Sequence, residues 1–412
     1  MIKKLIIENF LSFDSRQTID FTSVDNLSQN TFSIIGSNSS GKSNVLKTLD
    51  FIKTFATESF SYDSESPIKI NKNKFSELKN TFLQLIFELK NKEYIYTIKI
   101  NDIVLFEELK CNDMILFSIQ NKIEQLNNKN EDTYINYEIL RTTNAEDTIM
   151  DDAEVAEVQK LVRPNASFIS TFPQINKKHF LYIYNYFKNI SIYDSTHSTL
   201  DQLFHNNSFI KLITDDNYKK EILNILQLVD NDIDNFEPIT KKIDEKQIKI
   251  KFNIDTNKME TITSDTKSEI EELKFNKNGK EFRYDEQSHG VLKLLQVLHK
   301  LLPIIHNGGV LIVDEIENGL HPRIYKNILD LFNNSDNAQL IFTTHNLIFL
   351  DTMKKDQICI IEKNNNISFV KQLKDLEPKE KIYFNFLREY MTGVYDSIFE
   401  TDIPDFNWLD KS

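Results

Sequence analysis

The sequence predicts an α/β fold with a mainly helical insertion. Three apolar runs predict it. Thr31–Ile35 passes through a glycine-bearing loop into a helical pattern, Val310-Leu-Ile-Val313 ends in Asp314-Glu315, and Gln339-Leu-Ile-Phe-Thr-Thr344 ends at His345-Asn346. Such runs are strands buried on both faces, with helices packed over them. The chain has only eight glycines, and six of them (Gly36, Gly41, Gly290, Gly308, Gly309 and Gly319) fall in or beside three short segments. None lies between Lys42 and Asn278. A chain this sparing with glycine keeps it where the backbone approaches something closely or takes φ > 0.

The first glycine segment is Gly36-Ser37-Asn38-Ser39-Ser40-Gly41-Lys42-Ser43, which has the spacing G-x-x-x-x-G-K-[ST]. A strand precedes it, and a helix with Val45, Leu46, Leu49 and Ile52 on one side follows it. Backbone N–H groups of such a loop and helix start wrap a polyphosphate. Lys42 then reaches the β- and γ-phosphates, and Ser43 holds Mg²⁺. Asp314, at the end of a buried strand, is a second Mg²⁺ ligand, direct or through water. Its neighbour Glu315 is the candidate general base for an attacking water. A helical stretch from Arg323 to Phe332 leads to the third run. His345, just past it, has two readings: a plain cap, or a donor to a terminal phosphate. His179, His197, His205, His299 and His306 lack zinc-ligand spacing.

Between these runs the pattern changes twice. Residues 81–110 alternate as a strand hairpin, and two more β-like stretches lie within 115–141. From 151 to 235 the pattern is helical, with Ile222, Leu223, Ile225, Leu226, Leu228 and Val229 tracing one amphipathic helix. Strand-like 247–254 leads to an amphipathic helix at 289–302, for which Ser288 is an N-cap. Heptads are not sustained, which excludes a long coiled-coil arm. The polar segments 144–152 and 257–268 read as loops. Residues 379–391 read as a helix, and the tail beyond holds the only tryptophan, Trp408. The expected division is 1–141, a helical insertion at 142–240, 241–375, and a C-terminal helix and tail at 376–412.

Together, the order and spacing of these motifs resemble the ABC-class ATPase heads of the SMC, RecF and OLD type. The opening residues 1–13 look like their first strand and turn. Residues 36–44 look like their Walker A, with Asn44 after the serine, and Asp314-Glu315 like their Walker B pair. Ser288-His289-Gly290 is similar to their signature, 317–322 to their D-loop, and His345 to their switch histidine. The resemblance implies a P-loop ABC-type head with an antiparallel β-layer, and ATP and Mg²⁺ as cofactors. It also implies a homodimer with composite sites, in which Ser288 and Gly290 of one protomer complete the pocket formed by 36–43 of the other. Within this class the chain is most similar to the compact RloA or AbiL type of prokaryotic anti-phage defence. Tyr390-Met-Thr-Gly393-Val-Tyr resembles the stretch that often closes those proteins, with Asp396 in place of a second glycine. Two departures stand out: the signature has His289 where transporters have glycine, and Gln84 is a Q-loop candidate by location only.

The chain carries 49 Lys+Arg against 62 Asp+Glu, a formal charge of −13. This balance disfavours broad nonspecific DNA binding, which runs on phosphate neutralisation. Lys69, Lys72 and Lys74, and Lys241, Lys242, Lys246 and Lys249, are local basic stretches, read either as a nucleic-acid patch or as a solvated face. No apolar run is long enough for a membrane span, and no secretory leader is expected. Two cysteines argue against a disulfide framework and fit a reducing cytoplasm. No Asp-x-Asp toprim pattern follows His345, and no Asn-Lys-x-Asp guanine reader appears. Two functions stay open: the ATPase and sensor of a defence system with a separate effector, expected to be a nuclease, or a RecF/SMC-like ATPase of DNA repair and maintenance that binds DNA.

Overall fold

The structure, a computed structural model, describes residues 1–120, 159–175, 178–194, 208–253, 258–318, 322–346 and 353–375. In chain order the first elements are β1 (Ile2–Glu8), β2 (Gln17–Asp20), β3 (Thr31–Ile35) and α1 (Lys42–Glu58). Next come β4 (Thr81–Leu89), β5 (Lys92–Ile100), β6 (Val104–Cys111) and β7 (Met114–Gln120). They are followed by α2 (Phe172–Ile175), α3 (Lys178–Lys188), β8 (Ile190–Asp194), α4 (Ser208–Ile213) and α5 (Asp216–Gln227). The rest are β9 (Ile233–Asn253), β10 (Lys258–Lys277), β11 (Lys280–Arg283), α6 (His289–Asn307), β12 (Gly309–Asp314), α7 (Pro322–Asn333), β13 (Ala338–Thr343), β14 (Ile358–Asn364) and β15 (Ile367–Gln372). The chain divides into two compact units: 1–194 with 304–317 and 326–412, and 195–303 with 318–325.

The first unit holds two six-stranded sheets. The core sheet has the order β15-β14-β3-β13-β12-β8, and its pairs are parallel except β14 with β15. Every residue of β3 and β13 is buried, as expected for strands covered on both faces. The second sheet, β2-β1-β4-β5-β6-β7, is antiparallel throughout. It is the expected β-layer, and β4 shows its period-2 burial along most of its length. One apolar cluster takes in Ile34 and Ile312 of the core sheet, Leu83 and Leu85 of the layer, and Val45, Leu49 and Ile52 of α1. The buried Gln339 of β13 ties the two sheets together. Its carboxamide accepts from Ile2 N (2.6 Å) and donates to Ile2 O (2.9 Å) and Gln29 O (3.0 Å).

In the second unit, α5 starts at an N-cap where Asp215 accepts from Asn217 N (2.9 Å). Ile233, Phe236, Leu273 and Phe275 are buried at the base of β9 and β10. These two strands then run on as one antiparallel ribbon to the rung Asn253 with Lys258.

Two expectations are corrected. The stretch 142–240 supplies helices α2 to α5, but it also supplies β8, which pairs with β12 in the core sheet, and the second unit begins only at 195. Ile190-Ser-Ile-Tyr193 is a short β-branched and aromatic run that fits a sheet edge. Residues 258–268, expected as loop, lie in β10. Their threonines and isoleucine favour extended backbone despite the polar composition. The expected loop at 144–152, the C-terminal segment with Gly393 and Trp408, and the β-like stretches beyond 120 lie outside the described residues.

Candidate phosphate site at the edge of the core sheet

Parallel register brings three strand ends to one edge. Ile34 stands beside Thr343, and Val313 beside Phe342. The residues that follow β3, β13 and β12 therefore emerge together, although most of the chain separates the first from the others.

The loop after β3 has no room for a side chain at either glycine of its motif. Gly36 has φ +151°, and a Cβ there would stand 2.2 Å from Ile361 O and 2.7 Å from Ser40 Oγ. Gly41 has φ +112°, and its Cβ would stand 2.3 Å from Ser368 Oγ. Helix α1 begins at once, with no side-chain cap and no acidic residue in its first turn. Its leading N–H groups are those that an anion satisfies. Ser40 Oγ is buried without a hydrogen-bond partner. Lys42 Nζ donates to Gly36 O (3.0 Å) and Ser37 O (2.9 Å), folding the lysine over its own loop. Ser43 and Ser37 are half-buried, and Asn38 and Ser39 are exposed. An uncapped helix start, two glycine positions without room for a Cβ and an orphaned hydroxyl fit a polyphosphate and its metal.

Asn44 sits differently from the rest of the motif. Its Nδ2 donates to Ser12 Oγ (2.7 Å), while Ser368 Oγ donates to Ser40 O (2.5 Å) and lies 2.7 Å from Ser12 Oγ. Asn44 thus braces the loop through Ser12 on the turn after β1, and Ser12 in turn meets Ser368 on β15. Nothing in the local sequence marked Ser12 or Ser368, because a serine carries no pattern of its own.

On the acidic side, Thr343 organises the end of β12. Its hydroxyl donates to Asp314 Oδ1 and accepts from Glu315 N (2.7 Å). Glu315 takes φ +48°, an uncommon state for a residue with a Cβ. His345 N donates to Glu317 Oε1, and His345 Nε2 lies 3.9 Å from Glu315 Oε1. Burial pushes the Lys42 ammonium below its ordinary pKa, and the charges of Asp314, Glu315 and Glu317 pull it back up. Lys42, Asp314, Glu315 and His345 are thus gathered at one edge, together with Thr343, which sequence reasoning missed, and Glu317, which it placed only as the first residue of the D-loop resemblance. The only signal for Thr343 was a hydroxyl ending an otherwise apolar buried strand.

The remaining candidates belong to other elements. Ser288 and Gly290 belong to the second unit, where Ser288 Oγ accepts from Val291 N (3.4 Å) at the start of α6. Gln84 lies in β4 and donates to Thr97 Oγ1 (2.8 Å) within the β-layer. Lys72 donates to Asn101 Oδ1. Among the described residues no cluster of His, Cys, Asp and Glu forms a metal site by itself. No described helix is long and apolar enough to cross a membrane.

Comparison with known proteins gives the following. The family described as "AAA domain, putative AbiEii toxin, Type IV TA system" matches residues 32–351. No curated protein matches the sequence. Among solved structures, the chain is similar to the SMC head domain from Thermotoga maritima, at 12% identity and TM-score 0.44, over 90% of this chain and 98% of that one. It is also similar to an Smc head bound to the C-terminal winged-helix domain of ScpA, at 13% identity and TM-score 0.46, over 90% and 97%. A third similar structure is an Smc head with an extended coiled coil bound to the C-terminal domain of ScpA, from Pyrococcus furiosus, at 13% identity and TM-score 0.40, over 90% and 95%. The family match runs from the strand before the phosphate loop to beyond His345, over most of the 412 residues, and the chain belongs to this AAA-domain family, AAA_21.

Proposed function

We propose that the chain binds and hydrolyses ATP as an ABC-type ATPase and acts as a nucleotide-gated dimer switch. The convergence of the 36–43 loop with Asp314, Glu315 and His345 at one sheet edge carries this reading. Lys42 binds the β- and γ-phosphates, and the N–H groups of the loop line the polyphosphate. Ser43 and Asp314 hold Mg²⁺, which supplies charge neutralisation when bound. The Glu315 carboxylate accepts the proton of the attacking water, and His345 donates to the terminal phosphate. Ser288 and Gly290 complete the site of a second protomer, so that ATP joins two heads and its hydrolysis releases them.

In the cell we assign this switch to a prokaryotic anti-phage defence system, as its cytoplasmic ATPase and sensor, with a separate effector that is a nuclease. The family description, which names a putative toxin of a toxin–antitoxin system, supports a device of several parts. Glu315→Gln tests the chemistry: turnover is expected to fall by about 10²- to 10⁴-fold, with ATP bound and dimer accumulating on a sizing column. Turnover at the parental rate removes Glu315 as the base. The effector assignment is tested by a neighbouring gene that is toxic alone and silenced by co-expression. ATP turnover that DNA stimulates, and that falls steeply with salt, supports instead the DNA-maintenance reading.

A further inference from the structure

Successive residues of a strand point to opposite faces. Asp314 and Glu315 therefore cannot both serve one site as a plain continuation of β12. The chain turns instead, with Glu315 at φ +48°. A residue with a Cβ persists in that left-handed state only where its surroundings enforce it.

One residue of β13 supplies the constraint. Thr343, the last of the strand, is fully buried. Its hydroxyl accepts from Glu315 N (2.7 Å), and its main-chain carbonyl accepts from Ile316 N (3.2 Å). Two consecutive N–H groups of the turn thus end on one residue. A backbone N–H can only donate, so the proton of the hydroxyl is left for Asp314 Oδ1, to which it is given. A single side chain fixes the carboxylate before the turn and the backbone after it. In this arrangement both carboxylates act on Lys42, and Glu315 Oε1 stands 3.9 Å from His345 Nε2. The next threonine is used otherwise. Thr344 Oγ1 accepts from Asn346 N (3.0 Å), and Thr344 N donates to Ile34 O (3.3 Å), which joins β13 to β3.

We propose that Thr343 is a positioning residue of the site, orienting the Asp314 carboxylate as a metal ligand and holding Glu315 in place as the base. This rests on the ATPase reading above. Thr343 couples the metal ligand to the base, while ATP itself is held by Lys42 and the 36–43 loop. Removing it therefore acts on the chemical step and on the metal, and spares nucleotide affinity. Partners that orient a metal-ligating carboxylate are worth about 10- to 100-fold in metal affinity or activity.

Thr343→Val keeps the shape of the side chain and removes its hydroxyl. At saturating Mg²⁺ its kcat is expected to fall about 10- to 100-fold, with KM for ATP unchanged. Thr343→Ser, which keeps the hydroxyl, is expected to recover most of the loss. A packing role alone would lower the melting temperature of Thr343→Val and leave kcat intact. A second readout needs no turnover. Mn²⁺ is titrated, by electron paramagnetic resonance, into protein carrying a non-hydrolysable ATP analogue, and is expected to bind Thr343→Val about tenfold more weakly than the parent. Should Thr343→Val misfold, Thr343→Ala takes its place in both measurements. A parent that binds nucleotide without turning it over removes the ATPase reading, and the Mn²⁺ titration then decides Thr343 by itself. Parental kcat in folded Thr343→Val, a Thr343→Ser protein as impaired as Thr343→Val, or unchanged Mn²⁺ affinity overturns the proposal.

Discussion

Lys42 and Glu107 are both buried ionisable side chains of the first unit, but their surroundings differ. Lys42 sits at the open edge of the core sheet, held by two carbonyls of its own loop, with three carboxylates acting on it from 314–317. Glu107 lies inside the antiparallel layer, 1% exposed, and only neutral donors reach it. Tyr96 OH (2.8 Å) and Ser167 Oγ (2.6 Å) donate to one oxygen, and Phe168 N (2.8 Å) to the other. Burial raises the Glu107 carboxyl above its ordinary pKa, and these hydrogen bonds oppose the rise. A buried charge beside opposite charges, an uncapped helix start and an orphaned hydroxyl is arranged for a ligand. A buried acid whose oxygens are all satisfied by its own chain joins β5, β6 and the segment 167–168.

The contrast breaks first at Lys42. Lys42→Ala is expected to abolish nucleotide binding in calorimetry while leaving the melting temperature unchanged or higher. The sign follows from its depressed pKa, since holding a charged Lys42 in the fold costs stability at every pH below its ordinary value of 10.5. Retained binding would make Lys42 a structural residue like Glu107.

The next effect is on folding. Glu107→Ala leaves Phe168 N and one of the two hydroxyls of Tyr96 and Ser167 without an acceptor, since those hydroxyls lie 2.9 Å apart and one can donate to the other. It is expected to cost about 1–3 kcal/mol per unsatisfied group, read by urea unfolding, with nucleotide affinity unchanged in the folded fraction. Loss of affinity at full folding would tie the layer to the site.

The smallest effect separates charge from hydrogen bonding. Glu107→Gln can turn its amide toward the hydroxyls of Tyr96 and Ser167, which also accept, while its oxygen accepts from Phe168 N. Because the folded carboxyl titrates above its ordinary value of 4.5, its contribution is complete below that value and is lost as pH rises through the folded pKa. The parent should therefore lose stability relative to Glu107→Gln across that window. Parallel pH curves for the two proteins would show that Glu107 titrates alike in both states.

The phosphate loop, the buried strands and the Asp314-Glu315 pair were legible in the sequence because each is local. Glycine spacing, a run of aliphatics and helical periodicity constrain the backbone within a dozen residues. The β-ribbon was half legible: 247–254 read as strand, but its mate 258–268 is polar and lacks the alternation that marks a half-buried face. Only the tertiary structure decided that Ser12 and Ser368 brace the loop with Asn44, that Thr343 joins Asp314 to Glu315, and that β8 extends the core sheet from within the expected insertion. Those partners lie tens to hundreds of residues apart, and a hydroxyl or a short β-branched run has no meaning until parallel register sets it beside its mate.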